Sequence, residues 1–386
     1  MNTDEVRVAF DEREPLRSGG LGHNRWHPDI APIAHVQPGQ DVVFRTRDGS
    51  DSQITREMRA PAFMAIDTDV IHALTGPFYV EGAEPGDLLR VEVGRIDPDD
   101  RGVTLVWPGS GFGMLPEDFD EPFIVHWEIH DGYARSAEMP GIAIAGMPFL
   151  GIMGVAPSHE RLAEIAAREA RLAESGFSVL SPDRRSAVPV NGAPATQGLR
   201  TAPPREIGGN MDIKQLTAGS VVTLPVDVPG ALFSAGDCHF AQGDGEVTGT
   251  AIEITGTVRL RFHVVKPDEQ RWRPRFPAFE YTETPRPMTR RYVGTTGIPV
   301  DAGGRNGYLD LTMAAKEAVR EMIAYLTSTR GLTREQAYVL ISVAGDLRIS
   351  ECVDVPNAIV SAHLVCAAFV ATTTAVPLGW ITIWVL

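Results

Sequence analysis

The sequence predicts a mainly β protein, a jelly-roll-like β-sandwich with an α-helical hairpin and α+β additions. Three observations predict it. Glycine (38) and proline (29) are abundant among the 386 residues, and a chain rich in turns favours strands over a helical bundle. Short apolar or alternating runs bounded by turn residues recur in the first half and return from Val221 to Val265, as strands require. Two amphipathic stretches stand side by side late in the chain, Asp310 to Arg330 and a second opening at Thr333.

In chain order, Val42-Val43-Phe44 follows Pro38-Gly39, and Leu88 to Val93 follows Pro85-Gly86-Asp87. Phe123 to Ile129 alternates and ends at Asp131-Gly132, a hairpin signal before Tyr133-Ala134-Arg135, because both turn residues tolerate positive φ. A helix is expected from about Glu160 to Glu174, with Ser158 as N-cap, Leu162, Ile165 and Leu172 on one stripe, and Gly176 past its end;. Residues 178–206 are polar and proline-rich, and read as a connecting loop;. In Val258-Arg259-Leu260-Arg261-Phe262 the period is two. The first late helix carries Leu311, Ala315, Ala318, Met322 and Leu326 on one face and stops at Gly331, and Thr333 with Gln336 forms a capping box for the second;. The expected organisation is an N-terminal β-rich lobe with one helix (1–177), the connecting loop (178–206), and a C-terminal α+β lobe (207–386), packed as one compact unit.

A net charge of −15 argues against nucleic acid or an anionic membrane as partner, since both repel it. Cys238, Cys352 and Cys366 make an odd count without framework spacing, and the first residues show no secretory pattern. A reduced, cytoplasmic, soluble protein is the expectation. From Ala358 to Leu386 the tail is nearly uncharged. With His363, three consecutive threonines and Pro377 in it, a terminal strand or subunit contact is favoured over a membrane span.

The densest polar cluster runs from Gly236-Asp237-Cys238-His239 to Gln242-Gly243-Asp244-Gly245-Glu246. If Asp237 to Phe240 is extended, Asp237 and His239 share a face and Cys238 points the other way. A carboxylate beside an imidazole suits a divalent metal of the zinc type. The glycines let Asp244 and Glu246 turn back towards it. A hairpin whose acids face water fits the spacing as well. Gly208-Gly209-Asn210-Met211-Asp212 is a second polar knot, where glycine lets backbone approach a ligand and a capped turn is the plainer reading;. Glu81, at a strand end before Gly82, is well placed for general acid/base work;. His23 and His27 flank Trp26 in a surface loop or a pocket mouth, and His126, Glu128 and His130 mark the solvated face of a hairpin.

Arg200 to Asp212, Gly230 to His239, Gln242 to Glu246 and Ala251-Ile252-Glu253 closely resemble the acetamidase/formamidase family. So do His23-Asn24-Arg25-Trp26, Glu81 to Asp87, Gly154-Val155-Ala156-Pro157, Thr295 to Ile298 and Asp354 to Asn357, in the family's order. The resemblance implies a homo-oligomeric β-sandwich that binds a divalent metal and releases ammonia from small amides, with bicyclic lactams as substrates of some relatives. It places Asp212, Asp237 and His239 at the metal, zinc or alternatively calcium. Glu81 or Glu246 is the expected proton carrier, and Asn210, Gln242 and Trp26 are the expected substrate-binding residues. Residues 54–61 depart from the family's Asn- and Asp-rich pattern, which bears on the substrate, and the tail after Asn357 departs too.

An amide resists hydrolysis, so the site must supply a nucleophile, charge stabilisation on oxygen and a proton for nitrogen. A metal-activated water does the first two. Covalent attack by Ser234 or Cys238, and a binding module without turnover, are the two rivals.

Overall fold

Strands dominate, and their core-facing positions follow the alternation in the sequence. The computed structural model describes residues 5–109, 112–283 and 291–366. Six strands form one sheet in the order Glu5–Val8, Asp41–Arg45, Gly256–Val265, Leu88–Pro98, Val221–Pro225, Ala278–Glu280. The larger sheet has ten strands, and Phe233–His239 lies inside it between Phe149–Gly154 and Glu253–Ile254. In Gly256–Val265, Val258, Leu260 and Phe262 are buried while Arg259 and Arg261 stay half-exposed and bind Asp41. The two sheets meet through aromatic rings: Phe44 packs on Phe78 at 5.1 Å, and Phe233 on Phe262 at 5.0 Å;. Strands from before and after residues 178–206 alternate in both sheets.

The Asp131-Gly132 turn forms, with φ of 54° and 78°, and pairs His130 with Tyr133;. Helix His159–Glu174 starts at Ser158, whose hydroxyl accepts from the Arg161 amide. Leu162 and Ile165 are buried, but Leu172 is 50% exposed, on a last turn that is exposed throughout. Helix Leu311–Arg330 ends at left-handed Gly331, and helix Arg334–Ala344 opens with the Thr333–Gln336 capping box.

Residues 178–206 are more ordered than a connecting loop. They contain helix Gly192–Gln197 and strand Leu199–Arg200, which pairs with Arg25–Trp26. What fastens them is His23 to His27, a wholly buried segment and not a surface loop. Asn24 bonds the Ser186 carbonyl and the Val188 amide, and Arg25 donates to the carbonyls of Asp183 and Arg185. Carbonyls meet the Nη donors of this guanidinium, while its Nε has no hydrogen-bond partner among the described residues and burial lowers its pKa to about 10;. Of the uncharged tail, strand Ile359–Val365 lies inside a three-stranded sheet, and residues 367–386 fall outside the described residues. No described helix is long and apolar enough to cross a membrane.

Candidate active site

Strand Phe233–His239 delivers both residues of the Asp-x-His motif. His239 lies opposite Glu253 in the neighbouring strand, and this register brings Glu253 Oε2 to 3.0 Å from His239 Nε2. Asp237 Oδ2 lies 3.5 Å from the same nitrogen. The backbone at Asp237 is not simply extended: its φ is 55°. Gly151 faces it, between the Leu150–Cys238 and Ile152–Gly236 pairs. A Cβ on Gly151 would lie 2.6 Å from Asp212 Oδ1 and 2.9 Å from Asp237 Oδ2. Glycine is therefore required here by space.

Asp212 follows strand Gly208–Asn210, and its turn is pinned by the Gly151 carbonyl, which accepts from the amides of Met211 and Asp212. Its Oδ1 stands 4.0 Å from His239 Nδ1. Glu246 arrives on the turn that begins at Gln242, with Oε1 3.9 Å from His239 Nε2. The helical hairpin presses on this turn. Gly243 donates to the Ser342 carbonyl, and a Cβ on Gly243 would meet the Gly345 carbonyl at 2.0 Å. Asp212, Asp237 and Glu246 all have positive φ, at 49°, 55° and 40°, a strained state for non-glycine residues that clusters at functional sites.

Gln242 locks the imidazole. Its Nε2 donates to the Asp212 carbonyl and its Oε1 accepts from His239 Nδ1 at 2.9 Å. That leaves His239 Nε2 turned to the carboxylates. Both ends of Gln242 bond within the site, so it positions the imidazole. Asn210 Oδ1 and Asp212 Oδ1 are buried atoms without a hydrogen-bond partner among the described residues, and the carboxylates near His239 Nε2 approach it outside hydrogen-bond geometry. Asn210 lines the cavity described below.

Four carboxylates around one imidazole cannot all ionise freely. Burial, against the pull of His239, pushes Asp212 up to about 7. Glu246 is held well above the usual range by burial and by Asp212, and Glu253 is raised, mainly by burial. Burial opposes ionisation of Asp237 as well, but His72 and His239 outweigh it and hold Asp237 low. His239 is raised well above its ordinary value, since Glu253 and Asp237 overcome its burial. Such a cluster takes up protons or a cation. The triplets Asp212–His239–Glu246 and Asp237–His239–Glu253 each bring ligand atoms within 4.8 Å of one another. That donor set, the unpartnered atoms and the glycine-lined cradle fit a divalent metal.

The other expected site residues lie elsewhere. Glu81 binds His35 at 2.7 Å, partly exposed, and does not join the cluster about His239. It stands in the turn after strand Leu74–Val80, beside the parallel strand that carries His35. Trp26 is 1% exposed in the main core, against Gly154, so packing accounts for it and no ligand reaches it. Cys238 is buried on the opposite face, its thiol pushed up to about 12 by burial. Ser234 Oγ contacts His23 Nε2 at 2.7 Å, a dyad in outline. Both residues are buried, neither lines the cavity, and Gly76 packs onto the hydroxyl. His126 bonds the Met58 carbonyl and Glu128 pairs with Arg56, while His130 is exposed.

Two contributors escaped the sequence reading. Glu253 matched a family position but its role required the strand register. His72 comes from a separate segment, its Nε2 3.9 Å from Asp237 Oδ2, and no local pattern marks it. A cavity of about 1010 Å³ opens over the cluster, with His72, Asn210, Asp237, Glu246 and Glu253 in its lining.

A sequence profile described as the Acetamidase/Formamidase family matches residues 10–371. A formamidase of Methylophilus methylotrophus is 36% identical over 381 residues, covering 92% of this chain and 90% of its own. An acetamidase of Mycolicibacterium smegmatis is 35% identical over 370 residues, covering 88% of this chain and 90% of its own. Among solved structures, a gamma lactamase from Delftia acidovorans superposes with a TM-score of 0.86 at 34% identity, covering 94% of this chain and 93% of its own. An acetamidase from Bacillus halodurans gives 0.55 at 27% identity, covering 93% and 97%.

Proposed function

The chain belongs to the acetamidase/formamidase family and hydrolyses the carbon–nitrogen bond of small linear amides, and we propose that it does so at the His239 cluster. The observation that carries this is the convergence of Asp212, Asp237, Glu246 and Glu253 on one imidazole beside a cavity that Asp237, Glu246 and Glu253 line.

In this reading Asp212, Asp237 and His239 hold a divalent cation, zinc before calcium, with Glu253 completing the set. When bound, the metal supplies an acidified water and polarises the amide carbonyl. Gln242 fixes the His239 tautomer so that Nε2 is available;. Asn210 Oδ1 accepts a hydrogen bond from the amide nitrogen. Glu246 takes the proton from the attacking water on a carboxylate oxygen and passes it to that nitrogen, so that ammonia leaves.

The facing sheets form a jelly-roll-like sandwich in this reading, and the protein is cytoplasmic and assembles as a homo-oligomer. Exposed Ile349, Val353 and Val355 offer an apolar contact for a second copy. A lactam is the second substrate reading, favoured by the likeness to the gamma lactamase. Ammonia release from formamide, acetamide and a bicyclic lactam by the purified protein tests the proposal. Full turnover by both Asp237→Asn and His239→Ala would remove the cluster from the chemistry.

A further inference from the structure

The cavity is far larger than formamide or acetamide needs, and although charged residues such as Arg59, Arg101, Arg135 and Glu138 line part of it, one of its walls is apolar. Strand Arg101–Val106 pairs Val103 with Glu253. Val103, Leu105 and Trp107 line the cavity at every second residue, so they form a strip on one face. At ~3.3 Å per residue the strip runs roughly 13 Å outward from beside Glu253. Ile54, Ile66 and Phe112 line the same arm. Trp107 packs edge-on to Phe63 at 5.1 Å and lies 5.4 Å from Phe112, and these residues form a small core separate from the main one. The wall is therefore backed and shaped. The strip is apolar from Val103 to Trp107, whereas Arg101 continues the same face on the other side of Val103, His126 lies opposite Val103, and Arg56 pairs with Glu128.

We propose that this arm binds the acyl substituent of the substrate, and that the chain prefers neutral primary amides whose acyl group carries an apolar ring. The inference rests on the amide-hydrolase reading above and names the substrate class of that same site. A ring lying along Val103, Leu105 and Trp107 places its amide over the cluster, next to Glu253, and removes apolar wall from water. Acetamide leaves that wall wet.

The test compares acetamide with phenylacetamide in the full chain, with ammonia release and calorimetric binding measured in parallel. Phenylacetamide is expected to show kcat/KM at least about tenfold above acetamide, the scale of discrimination by an apolar pocket. Ile54→Trp, at a partly exposed wall position, fills the arm. It should raise KM for phenylacetamide about tenfold or more and lower the phenylacetamide-to-acetamide ratio of kcat/KM by a similar factor. Equal kcat/KM for the two amides, or an equal loss on both in the variant, overturns the proposal. Binding of phenylacetamide that Ile54→Trp abolishes, without ammonia from either amide, upholds the arm and removes the hydrolase reading instead. No binding and no preference removes the arm alone if acetamide is still cleaved.

Discussion

Asp237 and Glu246 do different work at one imidazole, and substitution separates them. Glu246→Gln keeps the shape and loses the proton acceptor. Its kcat should fall by about 10²–10⁴-fold while metal content, measured by elemental analysis, stays at the wild-type level. Loss of metal along with activity would make Glu246 a ligand. Cys238→Ala should keep ammonia release within about twofold and cost on the order of 1 kcal/mol of stability from lost packing, read from a thermal melt. A dead but folded variant would restore the thiol hypothesis. At this scale the sequence was informative where chemistry sits in adjacent residues: Asp237, His239, Gln242 and Glu246 lie within ten positions. Glu81 misled because a strand-end acid beside glycine looks the same whether it faces a cavity or, as here, His35 at the surface.

Strand register does the rest. The alternation argument assumed an extended Asp237, whereas its φ is 55° and the same-face outcome holds because Gly151 leaves room for the displaced carboxylate. Gly151→Ala is therefore a test of the cradle. Its Cβ would press on Asp212, Asp237 and His239 together, so activity and metal affinity should each drop about 10–100-fold, the range for disturbing what orients metal ligands. Wild-type affinity in a folded Gly151→Ala protein would contradict the packing described. The strands around Gly256–Val265 and the caps of the three long helices were legible in the sequence, since turns and caps are local. The pairing of His239 with Glu253, the arrival of His72, and the anchoring of residues 183–188 by Asn24 and Arg25 were not. Each depends on contacts between segments that sequence periodicity does not order.

Across the whole molecule, charge ties stability to the site. In the chelated protein Asp212 has its acidity shifted from 3.8 to about 7. Between those values the folded chain holds a proton that the unfolded chain has lost, so this group's contribution to stability declines as pH rises from about 4 to 7 and then levels off. Glu246 and Glu253 act in the same direction. Thermal melts of chelated protein should show that decline, and Asp212→Asn should flatten part of it; a slope unchanged by the substitution would place the proton elsewhere. Added metal replaces the protons and should raise the melting temperature in proportion to its binding.

The central claim is that the His239 cluster holds a divalent metal needed to cleave an amide. Chelation followed by add-back, with metal content and ammonia release from acetamide measured on the same samples, tests it most directly. Activity should disappear with the metal, return with zinc in the wild-type protein, and fail to return in His239→Ala. Full activity in a demonstrably metal-free preparation would contradict it.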